Sequence, residues 1–344
     1  MTPDSLGVVA ALRAAPERVA EARTGATRSL ADLGAVDGFD HVVFCGMGGS
    51  GVVGDIVAAV GAESCPLPIL VSKQFRAPAF VGPRSLVVAL SYSGETDETL
   101  AQAGAAVDAG AALVTIAAGG TLADLGRTRG LVHLPVAPGA PGPRFALGPM
   151  LVPAVALLDA LGLLPGGGDA LRSAEAQLRI RRDACLPEVA APANPAREIA
   201  RRLDRTWPLI YGAGPVGAAA ALRWKQSVNE NAKAPAFWNS FPELDHNEIC
   251  GWGQHGDVTR QVLSLVELVR PGEDPRLARR ADLTRDLVEE CVVQVLRVTA
   301  EGDGPLAQLL DLVHLGDWVS TYLALDHDVD PGPIDAIARL KADL

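Results

Sequence analysis

Residues 41–59, HVVFCGMGGSGVVGDIVAA, decide the fold. The apolar, β-branched run His41–Cys45 reads as a strand, GMGGSG at 46–51 as a tight glycine turn, and the apolar stretch after it as a helix. Strand, glycine turn and helix open a parallel βαβ unit. The unit recurs: LPILV, SLVVAL, AALVTIA and LVHLPV are strand-length runs between residues 67 and 136, separated by helical segments such as ETDETLAQAGAAVDAG. A parallel sheet with crossover helices is expected, closed by the Pro/Gly stretch PVAPGAPGP at 135–143. Residues 148–190 read as helices interrupted by GLLPGGGD, and WPLIYGAGPVGAAAALRWKQ at 207–226 then starts a second strand, glycine turn and helix. VLSLVELV and VVQVLRV supply further strand candidates, so a weak internal duplication of α/β units is the economical reading.

Composition narrows the function. The chain has 344 residues, 49% of them apolar, which is ample core for two domains. Its net charge of −11 and only four lysines exclude a nucleic-acid footprint, because phosphate backbones are held by clustered Lys and Arg. The five cysteines are scattered without a C-x-x-C, which points to small buried side chains in a reducing cytoplasm. The N-terminal stretch carries acids and a helical period, with no sign of a signal peptide or a membrane span.

GMGGSG and GAGPVG (212–217) both fit G-x-G-x-x-G, a loose template shared with dinucleotide-binding turns. A dinucleotide site also needs an acid about 20 residues on, at the end of the next strand. LPILVSKQF ends instead in Ser72 and Lys73, and after the second turn Glu230 stands within the polar run VNENAK. Gly48 and Gly51 have a fold-level explanation, a tight turn close to a helix. SYSGETDETL, residues 91–100, is more informative. Three hydroxyls, Ser91, Ser93 and Thr96, surround a glycine ahead of a helix N-terminus, where side-chain O–H and backbone N–H groups favour an anion without metal or lysine. The alternative is an ordinary N-cap by Thr96 or Ser93. Gly49 and Ser50 lie at the same, C-terminal edge of the sheet, where open α/β folds bind ligands.

GMGGSGVVGDI followed by SYSGETDET resembles the sugar isomerase (SIS) fold. PGPRFALG, RWKQSVNENAKAPAF, PELDHNEICGW and DWVSTYLAL are similar to the bifunctional phosphoglucose/phosphomannose isomerases. The resemblance implies an α/β chain of two SIS subdomains, each a mainly parallel sheet flanked by helices. The expected layout is a helical N-terminal segment 1–36, a first subdomain 37–147, a helical bridge 148–192, and a second subdomain with a C-terminal tail, 193–344. It further implies no cofactor and no metal, a sugar 6-phosphate substrate, and a homodimer in which His246 serves the neighbouring subunit.

By the same resemblance, Gly49, Ser50, Ser91, Ser93 and Thr96 hold the phosphate. Glu230 is the base moving a proton between C2 and C1, His246 opens the ring, Arg144 stabilises the enediolate, and Lys341 reaches the site from the tail. Each has a plainer alternative: a solvated helix-end acid, a loop histidine, a surface arginine and a frayed terminal helix. Lys225 and Lys233 read as structural or helix-end charges. Glu243, Asp245 and Glu248 around His246 raise a metal-site reading, opposed by the lack of a His or Cys at ligand spacing. Two rival functions remain: a SIS module that senses a sugar phosphate without turning it over, and a SIS enzyme acting on an amino sugar phosphate. The chain departs from its relatives at DPGP, 330–333, where Gly332 stands in place of a threonine associated with the pocket.

Overall fold

The computed structural model describes residues 3–31 and 38–343; the expected boundary at residues 36–37 lies outside them. Two helices, α1 (Val8–Arg13) and α2 (Ala15–Ser29), come first. The strands β1 (His41–Cys45), β2 (Ile69–Ser72), β3 (Ser85–Leu90), β4 (Ala112–Ala117) and β5 (Val132–Pro135) follow, linked by α3 (Gly48–Gly61), α4 (Asp97–Asp108) and α5 (Gly120–Thr128). All pairings in this sheet are parallel, in the order β2-β1-β3-β4-β5. Every residue of β3 is buried, which is why SLVVAL is continuously apolar rather than alternating. After β1 the chain steps to one side and then back across to β3. The order therefore reverses between the ends of β1 and β3, the switch point that forms a ligand crevice in such sheets.

Helices α6 (Leu147–Ala160), α7 (Gly167–Cys185) and α8 (Pro195–Leu203) lead to a second parallel sheet. Its strands β6 (Trp207–Ala213), β7 (Phe237–Phe241), β8 (Leu263–Val269) and β9 (Gln294–Thr299) run in the order β7-β6-β8-β9. That is the order of the first four strands repeated, as a duplication requires. Helices α9 (Gly214–Ser227), α10 (Gly256–Val262), α11 (Pro275–Val288), α12 (Pro305–Asp326) and α13 (Asp335–Ala342) complete the chain. Two compact units result: residues 14–176 with 304–306, and residues 1–13 with 177–303 and 307–344, the division falling within α7.

Both glycine turns serve the fold in the same way. A Cβ on Gly51 would lie 2.6 Å from the Gly46 carbonyl oxygen, and one on Gly212 would lie 2.0 Å from the Gly217 carbonyl oxygen. In each unit the first and last glycines of the template let strand and helix backbones touch, which gives the pattern a packing role. Strand β7, FWNSF, lies outside the strands expected from sequence. It is an edge strand with Phe237 and Trp238 exposed, so it lacks the apolar alternation by which strands are read. Among the described residues no helix is long and apolar enough to cross a membrane.

Candidate active site

In the first unit the expected phosphate residues converge on the switch point. Ser50, in the first turn of α3, accepts the Tyr92 N–H at 3.2 Å and donates to the Met150 sulfur at 3.5 Å, tying the β1 turn to the β3 loop and α6. The Ser91 hydroxyl lies 2.9 Å from that of Thr96 and 3.5 Å from that of Ser93, and it accepts the Gly94 N–H at 3.1 Å. Thr96 holds the N-cap position of α4, yet its side chain makes no cap bond, and neither does that of Ser93, which accepts the Glu95 N–H at 3.2 Å. The ordinary-cap alternative therefore fails. The hydroxyls form a cluster beside a helix N-terminus whose first-turn N–H groups have no side-chain acceptor, an arrangement suited to an oxyanion.

The loop packs closely because its glycines admit backbone contacts that a side chain would block. Gly94 has φ +77°, and a Cβ there would lie 1.9 Å from the Gly119 carbonyl oxygen. Glu95 fastens the start of α5 by accepting the Thr121 N–H at 2.7 Å and its hydroxyl at 2.8 Å. On the β1 side, a Cβ on Gly49 would lie 2.8 Å from the Arg144 backbone nitrogen, so Gly49 seats Arg144 against the turn. Arg144 is buried, with its guanidinium 4.5 Å from the centre of the Phe145 ring. Tyr92 steadies the approach to it by accepting the Ala140 N–H at 2.8 Å, a role that the sequence reading overlooked. Contacts thus link Gly49, Ser50, Ser91 and Arg144 at the C-terminal edge of this sheet, with Ser93 and Thr96 adjoining Ser91.

In the second unit Glu230 is half-buried in a π-turn, Val228–Ala232, that extends α9. Such turns insert a residue into a helix and recur at functional sites. Buried polar contacts hold this one. Asp317 on α12 accepts from Arg223 at 2.8 Å and from Ser227 at 2.7 Å, and Asn231 donates to the Ser320 hydroxyl at 3.0 Å. The Lys233 ammonium donates to the Glu230 and Asn231 carbonyls at 2.7 and 3.3 Å, the helix-end role expected for it. Glu230 is therefore a carboxylate on a clamped segment rather than on a fraying end. RWKQSVNENAK and DWVST, separate motifs in the sequence, are the two sides of this clamp.

His246 is exposed at the end of a 3-10 turn, Glu243–His246. The acids around it are engaged in fastening the loop. Asp245 accepts from Arg280 at 3.1 Å and Thr284 at 2.8 Å, Glu243 accepts from Asn247 at 2.8 Å, and Glu248 accepts from Asn239 at 2.5 Å and from the Tyr211 hydroxyl. Burial and the Glu248 carboxylate push the Tyr211 phenol well up, so it stays a neutral donor. Among the described residues no group of three His, Cys, Asp or Glu side chains is placed to hold a metal ion. Lys341 lies on α13, which buries none of its residues. Gly332 has a packing role: a Cβ there would lie 2.8 Å from both Cβ and Cγ of Leu6.

Residues 192–344 match the family model for the bacterial phospho-glucose isomerase C-terminal SIS domain. The chain is 35% identical to the bifunctional phosphoglucose/phosphomannose isomerase of Caldicellulosiruptor bescii, over 88% of each chain. It is 34% identical to the protein of the same name from Aquifex aeolicus, over 89% of this chain and 91% of that one. Among solved structures, the C-terminal domain of glucosamine-fructose-6-phosphate aminotransferase from Francisella tularensis has the same fold. It aligns with a TM-score of 0.67 at 15% identity, over 94% of this chain and 96% of that one.

Proposed function

Since the chain belongs to the family of bifunctional phosphoglucose/phosphomannose isomerases, we propose that it interconverts fructose 6-phosphate with glucose 6-phosphate and mannose 6-phosphate through an enediolate. It is a sugar-phosphate isomerase. The observation that carries the finer reading is the hydroxyl cluster of Ser91, Ser93 and Thr96 beside an uncapped helix, with open space above Gly48 in the facing turn. A phosphate seated there fixes one end of an open-chain sugar. Glu230 takes the proton from C2 and returns it to C1; its clamped π-turn supports this role, because a proton shuttle works only when held within hydrogen-bond reach of both carbons. Arg144 carries a permanent charge in a buried setting and stabilises the enediolate oxygens, where low dielectric strengthens the interaction. His246 and Lys341 assist ring opening. A cytoplasmic setting agrees with five free cysteines, of which Cys45 is held by burial as a thiol with its pKa raised to about 12.

The cradle is tested by Ser93→Ala and Thr96→Ala, which are expected to raise KM several-fold with little change in kcat, since phosphate contacts persist from ground state to transition state. Steady-state kinetics with fructose 6-phosphate read this; an unchanged KM in both variants would remove the phosphate assignment.

We place His246 in the site of a second subunit. An apolar groove of about 610 Å³ supports a homodimer: Trp207, Phe237, Trp238 and Val258 are exposed around it, and Glu248 on the His246 loop lines it. Mixing inactive Glu230→Gln with inactive His246→Ala protein is expected to regenerate activity once subunits exchange. Proven exchange without recovery would assign His246 to its own subunit.

Gly332 deserves a compensated test. Gly332→Thr alone is expected to lower stability by displacing Leu6, and Leu6→Ala in the same chain to restore it. In that double variant the mannose-to-glucose product ratio is expected to shift a few-fold while the summed rate moves less. An unchanged ratio would leave Gly332 as a packing glycine.

A further inference from the structure

The two units carry the same turn at the same place in the same strand order, yet only one of them is open. In the first unit Gly48, third in its G-x-G-x-x-G, has φ +50°, and among the described residues nothing beyond its chain neighbours and its own helix backbone lies within 4 Å of where its Cβ would be. In the second unit the matching residue, Gly214, has φ +62°, and the space over it is filled. The Glu273 carboxylate stands there, its carbon and two oxygens 2.8–3.0 Å from that Cβ position. Glu273 comes from the loop after β8, the counterpart of the loop after β3 that bears Ser91, Ser93 and Thr96. It arrives with its own counter-charge. Arg270 donates to Glu273 at 3.0 Å and to the Gln308 side-chain oxygen at 3.4 Å, and the Asp274 N–H donates to the other Glu273 oxygen at 3.1 Å. The side chains of both partners are about nine-tenths buried, at 11% exposure for Arg270 and 9% for Glu273.

A buried acid at this position is costly unless something there favours a negative charge. Two things do: the Arg270 guanidinium and the N-terminus of α9, a 14-residue helix without a side-chain cap. Pro215 in the second helical position removes one N–H that the first unit retains at Gly49. The seat therefore relies more on Arg270 than on backbone donors.

We infer that the second unit holds a second oxyanion seat, already filled by the protein's own Glu273 carboxylate, so that each chain takes up one sugar phosphate and not two. This rests on the reading of the first crevice as a phosphate cradle only for the count of one; the seat itself stands on Glu273, Arg270 and Gly214. Arg270 is the residue that an external phosphate would meet once the carboxylate is removed, by charge-assisted and bidentate hydrogen bonds. The internal carboxylate thus keeps inorganic phosphate and sugar phosphates away from a place with no chemistry to offer them.

The test uses the full chain and inorganic phosphate, followed by thermal unfolding against chloride at equal ionic strength. Phosphate is expected to raise the melting temperature of Glu273→Ala by several degrees more than that of the unaltered protein, since a ligand bound only to the folded state stabilises it. Arg270→Met added to Glu273→Ala is expected to abolish the extra response. An equal response in Glu273→Ala and unaltered protein overturns the inference, as does an extra response that survives the loss of Arg270. If Glu273→Ala does not fold, Glu273→Ser takes its place: its short hydroxyl side chain leaves the seat open, and the same extra response is required of it. A phosphate response in the variant but none in the unaltered protein would support this seat while removing the cradle of the first unit, so the two readings fail separately.

Discussion

Glu230→Gln is expected to lower kcat by about two orders of magnitude or more while a competitive sugar-phosphate inhibitor binds almost as before. The amide has the shape of the carboxylate and cannot accept a proton from carbon. The clamp contacts made by the Glu230 backbone carbonyl and by the side chains of Ser227 and Asn231 do not use the group that the substitution changes. Exchange of the C2 proton with solvent, followed by NMR in deuterated water, is expected to stop in the same variant. If inhibitor binding is lost together with turnover, Glu230 is a structural residue and the base lies elsewhere.

Asp317→Ala is expected to cost about 3–5 kcal/mol of stability, because it strips a buried arginine of its carboxylate and leaves Ser227 without its acceptor. The site would suffer with it. The end of α9 that leads into the turn bearing Glu230 loses its ties to Asp317 on α12, so kcat is expected to fall even under conditions where the variant is fully folded. Urea unfolding and kinetics on the same preparation separate the two effects. Asp55→Asn is the control: its partner Lys73, 2.5 Å away, is about one-third exposed, and breaking such a pair costs about 0–1 kcal/mol. Equal losses in the two variants would contradict the account of the clamp.

The strands that pack on both sides were legible because burial leaves a plain apolar run, as in SLVVAL and HVVFC. FWNSF was not, since an edge strand with exposed aromatics and polar Asn239 and Ser240 has no pattern that distinguishes it from a loop. The cradle was legible as letters, three hydroxyls and a glycine before a helix. That Arg144 rests on Gly49 was not, because a contact between residues far apart in sequence leaves no local trace. The same holds for the clamp: Arg223 and Asp317 are 94 residues apart, and both motifs were visible without any sign that they meet. Glu273 carries no signal for a different reason: an acid in a Pro/Gly loop has the composition of any surface turn.

The π-turn at Val228–Ala232 makes the length of this segment matter as much as its letters. Five residues close a ring that an α-helix closes with four, so every side chain in it is rotated from the azimuth an uninterrupted helix would assign. Removing any one residue here would let the backbone relax to ordinary pitch and swing Asn231 and Glu230 out of phase with Ser227, although each chemical group survived. Single-residue deletions between 228 and 232 therefore amount to rotating the carboxylate away from its target, and a scan of such deletions maps spacing separately from identity.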